Sequence, residues 1–263
     1  MTELKDNRKT DKKELIAAGI LTVVLAFMDI SGLPCTLFLN IEIPDVAPFY
    51  WALMLNFALI VAIAFLVLRF FCPSWELGLQ KNGFLSGFVR YGAVGIAVGL
   101  ITAIAFCVGL LPFDYKPTVL KVLIEGIVYY FGVAFVEELY VRGLLLNLLE
   151  KMFTKRRRPT ETAIIASSLV FGIGHIFGTL GQPLLVIVAK VMWTITMGFY
   201  FGMVYKKTNN LWLPVILHFL MDISALPYCF STMQGYADIS LAIILPLYVL
   251  LGIYSLHFLK SKR

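Results

Sequence analysis

Long apolar runs alternate with short polar connections along the chain, and that alternation predicts its elements. A helix rises about 1.5 Å per residue, so about 20 apolar residues cross a bilayer. Eight runs are candidate spans: 15–39, 47–71, 85–111, 119–151, 161–176, 184–206, 211–230 and 238–259. Asp29, Gly32 and Pro34 interrupt the first, which is expected to kink or break. The fifth is short, as a segment packed inside the protein and ending at a cavity would be. Residues 72–84 (CPSWELGLQKNGF) read as a short interfacial helix anchored by Trp75 and Leu77. Gly95 and Gly99 form a GxxxG, whose plain meaning is close helix packing. No repeat or second domain is visible. The expectation is one integral membrane domain over 1–263, all-α, with about eight transmembrane helices.

Composition agrees with that pattern. Of the 263 residues, 60% are hydrophobic and 14% charged, whereas a soluble domain is about half apolar and a quarter charged. The net charge of +6 matters less than its placement. Bases gather at Lys5, Arg8, Lys9, Lys12 and Lys13, at Lys155 to Arg158, and at Lys260, Lys262 and Arg263. The alternate connections 40–46, 112–118, 177–183 and 231–237 hold only Lys116. By the positive-inside rule, an even number of spans with both termini cytoplasmic fits this distribution. Lipid is therefore the expected surrounding. Nucleic acid is not an expected partner, because no soluble basic domain exists to hold it. The first run has a basic leader but no small-x-small cleavage site, and it reads as a retained span. Short loops and the lack of extra domains point to a bacterial plasma membrane. Cys35, Cys72, Cys107 and Cys229 form no CxxC and read as small apolar fillers.

The chemistry lies where charges interrupt apolar runs. Ionisable groups at the bilayer centre are costly, so they tend to be functional and to face a partner or a water-filled cavity. Glu137 and Glu138 sit side by side in YYFGVAFVEELYVRGLLLNLL, followed by Arg142. Glu138 and Arg142 are i and i+4, on one helix face, where an ion pair can form. Glu137, about 100° away, is the freer carboxylate and suits a general base. His175 ends the fifth run in FGIGH, flanked by Gly172 and Gly174, which permit close approach of a helix or ligand. His218 and Asp222 are i and i+4 in HFLMD and share one stripe. Counted inward from the basic ends, all four fall in the middle layers of the membrane and are expected to converge on one wet pocket. Three uses suit such a set: activating water on an amide, binding a metal, or building a proton or ion path. Glu125 and Asp29 have no assigned role, and His257 reads as interfacial.

EELYVR, FGIGH and HFLMD, in this order on successive apolar runs, resemble the CPBP family of intramembrane glutamic endopeptidases. These are the CAAX prenyl endoprotease and bacteriocin-processing type. The resemblance covers about 119–230 and marks that stretch as the catalytic helices. It implies that Glu137 activates water, that His175 is its partner, and that His218 and Asp222 form the oxyanion site. Glu138 and Arg142 would support them. It implies no required metal or cofactor, and a membrane-associated peptide or protein as substrate. The eukaryotic enzymes carry asparagine where this chain has Asp222. An ionised aspartate cannot donate a hydrogen bond, so Asp222 is expected to be protonated or to orient His218. Family members also include bacteriocin self-immunity proteins. A non-catalytic membrane scaffold and a proton-coupled carrier are the rival readings. The carrier fits less well because the polar residues sit in one half of the chain, without matched repeats.

Overall fold

The computed structural model describes residues 12–33, 42–113, 116–233 and 235–260. Lys5, Arg8, Lys9, Pro34, Cys35, Lys262 and Arg263 lie outside the described residues. Eight principal helices follow one another: α1 (Lys12–Ser31), α2 (Pro48–Phe71), α3 (Phe84–Val108), α4 (Val119–Met152), α5 (Pro159–Gly174), α6 (Leu184–Thr208), α7 (Trp212–Ile223) and α8 (Asp238–Lys260). All but α7 are long and apolar enough to cross a membrane, α5 when continued through Thr179. The protein is an all-α polytopic bundle.

Two runs end earlier than their hydropathy suggests. The first stops at Ser31, where Gly32 takes a left-handed φ of 66°. The run at 211–230 supplies only the 12 residues of α7, about 18 Å of helix. Pro227 opens a separate turn, Leu226–Cys229. It sits in the first-turn position, where the missing N–H is not needed. The seventh run is therefore a half-length helix, and its polar end lies inside the protein.

Residues 72–83 are an irregular strap and not the expected interfacial helix. Trp75 and Leu77 are buried. The strap's carbonyls are taken by other elements. Leu77 O accepts from the Tyr205 hydroxyl at 3.2 Å, Gly78 O from Leu211 N–H at 2.7 Å, and Leu79 O from Trp212 Nε1 at 3.0 Å. A helix would use those carbonyls internally. Gly78, with φ 74°, turns the strap against the α6–α7 junction.

α4 is the hub and packs against α1, α2, α5 and α7. Its backbone widens into π turns at Val122–Val128 and Leu139–Leu146, a distortion often found at functional sites. Gly143 O, within the second, accepts from Trp75 Nε1 and from Asn147 Nδ2, both at 2.9 Å. Glu125 receives the Ala47 N–H at 2.7 Å and pairs with Lys121 at 2.8 Å, which ties α4 to the start of α2. The GxxxG of α3 serves packing. A Cβ on Gly95 would lie 2.8 Å from the Tyr200 hydroxyl, and one on Gly99 would lie 3.4 Å from Leu220 O. One apolar cluster gathers α1, α2, the strap and α4; a second gathers α3, α6, α7 and α8.

Gly78→Ala places a side chain at positive φ and 2.8 Å from Asn209 O, a backbone atom. It is expected to cost about 2 kcal/mol. The loss should appear as a lower melting temperature of the detergent-solubilised protein.

Candidate active site

Glu137 and Glu138 end the last regular turn of α4 before its second π stretch. Being adjacent, they point apart. Glu138 turns into the core and is fully buried, while the Glu137 side chain keeps 13% exposure. Arg142 Nη1 lies 2.9 Å from Glu138 Oε1, and both side chains are shut off from solvent. The guanidinium stacks over Phe171 at 4.6 Å and Phe201 at 5.4 Å. A planar cation binds a carboxylate at its edge and aromatic rings at its faces, which suits arginine better than lysine.

His218, on α7, joins this pair. Its Nδ1 is 2.8 Å from the same Glu138 oxygen. A carboxylate oxygen accepts, so Nδ1–H donates. The second nitrogen, Nε2, is 3.4 Å from Asp222 Oδ2 and 3.6 Å from Glu137 Oε2. Phe201 stacks on the His218 ring, with centroids 4.9 Å apart. Glu138 thus orients the ring, and the aromatic neighbours hold its plane.

His175 caps α5. Its Nδ1 is 2.8 Å from Phe171 O. A carbonyl can only accept, so Nδ1 carries the proton and Nε2 of the neutral ring is bare. That bare nitrogen faces Glu137 Oε1 at 4.0 Å, too far for a direct hydrogen bond. The flanking glycines divide their roles. Gly172 packs α5 on Val191 and Ile195 of α6, whereas a Cβ on Gly174 would meet nothing within 4 Å and this residue lines a cavity.

The structure brings Glu137, His175, His218 and Asp222 together, with Glu138 and Arg142 behind them. Two adjoining cavities meet at these residues. A larger cavity of about 860 Å³ is lined by Glu137 and His175, with Asp29, Tyr129, Tyr140 and Lys190. A smaller one of about 260 Å³ is lined by His218, Asp222 and His175, with Thr102, Tyr248 and Lys190. His175 and Lys190 belong to both. His218 Nε2, beside both Glu137 and Asp222, links the linings of the two.

Two participants escaped the motif reading. Asp29 accepts the Tyr140 hydroxyl at 3.0 Å and brings α1 to the larger cavity. Lys190 is a lone charge inside an apolar helix, the same signal that singled out Glu137. Among the described residues, no group of three or more His, Cys, Asp or Glu is arranged to hold a metal ion.

All six motif residues lie within one contiguous stretch of known likeness. Residues 118–224 match the family of Rce1-like, type II CAAX prenyl endopeptidases. The match runs from the start of α4 to the end of α7 and spans less than half of the chain. It suggests a membrane protease. It leaves out α1, and with it Asp29. No curated protein matches the chain.

Arg142→Met leaves Glu138 buried without its cation. Removing one partner of a buried pair costs about 3–5 kcal/mol. The expected result is little folded protein on size-exclusion chromatography, only partly restored by Arg142→Lys, which keeps charge but not the stacked plane.

Proposed function

We propose that this protein is an intramembrane endopeptidase in which Glu137 activates a water molecule against an amide of a membrane-associated peptide or protein. The observation that carries this reading is the 4.0 Å gap between Glu137 Oε1 and the bare Nε2 of His175. Two hydrogen bonds of about 2.8 Å from one oxygen, at roughly a right angle, span about 4 Å. A water there donates both hydrogens, one to each acceptor, and its lone pairs face the cavity.

The steps follow from these positions. Glu137 takes a proton from the water as its oxygen bonds to the amide carbon. The carbonyl π pair moves onto oxygen and gives a tetrahedral oxyanion. His218, whose Nδ1–H is committed to Glu138, presents Nε2–H when doubly protonated, and Asp222 and Glu137 both lie beside that nitrogen. Donors aimed at developing charge in a site with little water are among the largest contributors to catalysis. Glu137 then returns its proton to the amide nitrogen, the C–N bond breaks, and a carboxylic acid and an amine leave. A protonated Asp222 adds a second donor and so does the work of the family's asparagine. The Arg142–Glu138 pair touches no reacting atom; it holds His218 in place. On this reading α4 to α7, within residues 119–230, are the catalytic unit of a single membrane domain. Both termini lie on the cytoplasmic side of a bacterial plasma membrane. The chemistry uses side chains only, with no cofactor.

Glu137→Gln should abolish peptide release while the protein still accumulates and melts normally. Loss of a general base typically costs about 10²–10⁴ in rate. Comparison of membrane peptides from cells carrying either form checks this, and unchanged processing would defeat the mechanism. His175→Ala is expected to fail alike.

Asp222→Asn separates the two roles open to that residue. A donor role predicts near-normal turnover that no longer falls as pH rises. A role in charging His218 predicts a loss of about tenfold or more, measured as turnover of a reporter peptide against pH.

A further inference from the structure

Lys190 is the cation that the water-activating reading leaves unused. It lies six residues into α6 and lines both cavities. Trp193, Thr194 and Met197, at i+3, i+4 and i+7 on the same face, continue the wall of the smaller cavity. The other site charges have close partners. Glu138 is held by Arg142 and His218, and Asp222 lies beside His218. Lys190 feels the charges of Glu137 and Asp222 across the cavities, but among the described residues it makes no ion pair within 4.0 Å; its ammonium lies 5.6 Å from the centroid of its own helix neighbour Trp193. A half-buried ammonium in an apolar helix is unfavourable unless something anionic meets it. Lys190 and Glu137 line the same larger cavity, so a chain bound there can meet both.

We propose that Lys190 is a binding subsite for a carboxylate of the peptide. This rests on the hydrolytic reading and adds a substrate feature to it. The carboxylate can be the terminal α-carboxylate or an Asp or Glu side chain; the recognising chemistry is the same. Engaging it fixes how far the peptide threads past His175, and so which amide reaches Glu137. Lys190 is a positioning residue. It touches the bound chain but no reacting atom.

The test uses full-length protein in lipid nanodiscs, in a Glu137→Gln background so that bound peptide is not consumed. The probe is a randomised heptapeptide library made in two forms, free acid and C-terminal amide, with retained peptides read by mass spectrometry. A terminal-carboxylate subsite enriches free acids over amides by about tenfold or more, the range of a charge-assisted hydrogen bond. A side-chain subsite instead enriches Asp- and Glu-containing members of the amide library. Either preference should vanish in Lys190→Met and return in Lys190→Arg. A Lys190 that only balanced the charge of the site would lower folded yield without changing the preference. Equal retention of all members, no retention of any, or a preference that survives Lys190→Met overturns the subsite. The same library given to protein with Glu137 intact separates the two readings. Cleavage without carboxylate preference removes the subsite and keeps the hydrolase; Lys190-dependent retention without cleavage does the reverse.

Discussion

The structure depends on burying one arginine. Arg142 is shut off from solvent at the seam between the two apolar clusters. Its guanidinium lies over Phe171 of the first and Phe201 of the second, and its Nη1 is 2.9 Å from Glu138 Oε1. A charge there is tolerable only when its counter-ion and its aromatic neighbours are all in place. α4, α5 and α6 must therefore arrive together. Glu138 then reaches across to His218 and draws in α7. One electrostatic requirement fixes the spacing of four helices.

That requirement also sorts two chemically identical residues. Glu137 and Glu138 differ by one position and by everything around them. Glu138 is engaged by a guanidinium and an imidazole and is sealed. Glu137 faces two histidine nitrogens at 3.6 and 4.0 Å and opens onto a cavity. One carboxylate is sealed in the core and the other opens onto a cavity. The about 100° step between neighbours on a helix separates the two roles. The π turn that follows lets α4 present Glu137 to a cavity and Gly143 O to the strap without breaking.

The strap shows how a region of little regular structure can control geometry. Its carbonyls receive donors from Tyr205, Leu211 and Trp212, while Asn210 Oδ1 accepts from Leu213 N–H at 3.1 Å and so starts α7. The start of α7 is thus set from outside the helix, and the depth of His218 and Asp222 with it. Asp29 extends the same dependence to α1, where the hydrogen bond from Tyr140 aligns the helix along the larger cavity.

Much was legible in order along the chain. Apolar runs long enough to span are a local property, and they specified helices and a membrane setting before any contact was known. The i, i+4 spacings of Glu138 with Arg142 and of His218 with Asp222 were equally local. Asp29, Gly32 and Pro34 signalled the early end of α1. What happens between helices was not legible. Residues 72–83 looked like an amphipathic surface segment, yet their backbone bonds to α6 and α7, partners over a hundred positions away. The run at 211–230 was apolar enough to span, but its neighbours and Pro227 decided that α7 stops halfway. The distances among Glu137, His175, His218 and Asp222 were set by packing between helices and not by any pattern along the chain. Lys190 and Asp29 were in plain view as lone charges, but only packing told which side of each helix faces a cavity. Hydropathy reports what a segment prefers to be surrounded by; which neighbour surrounds it is a matter of three-dimensional fit.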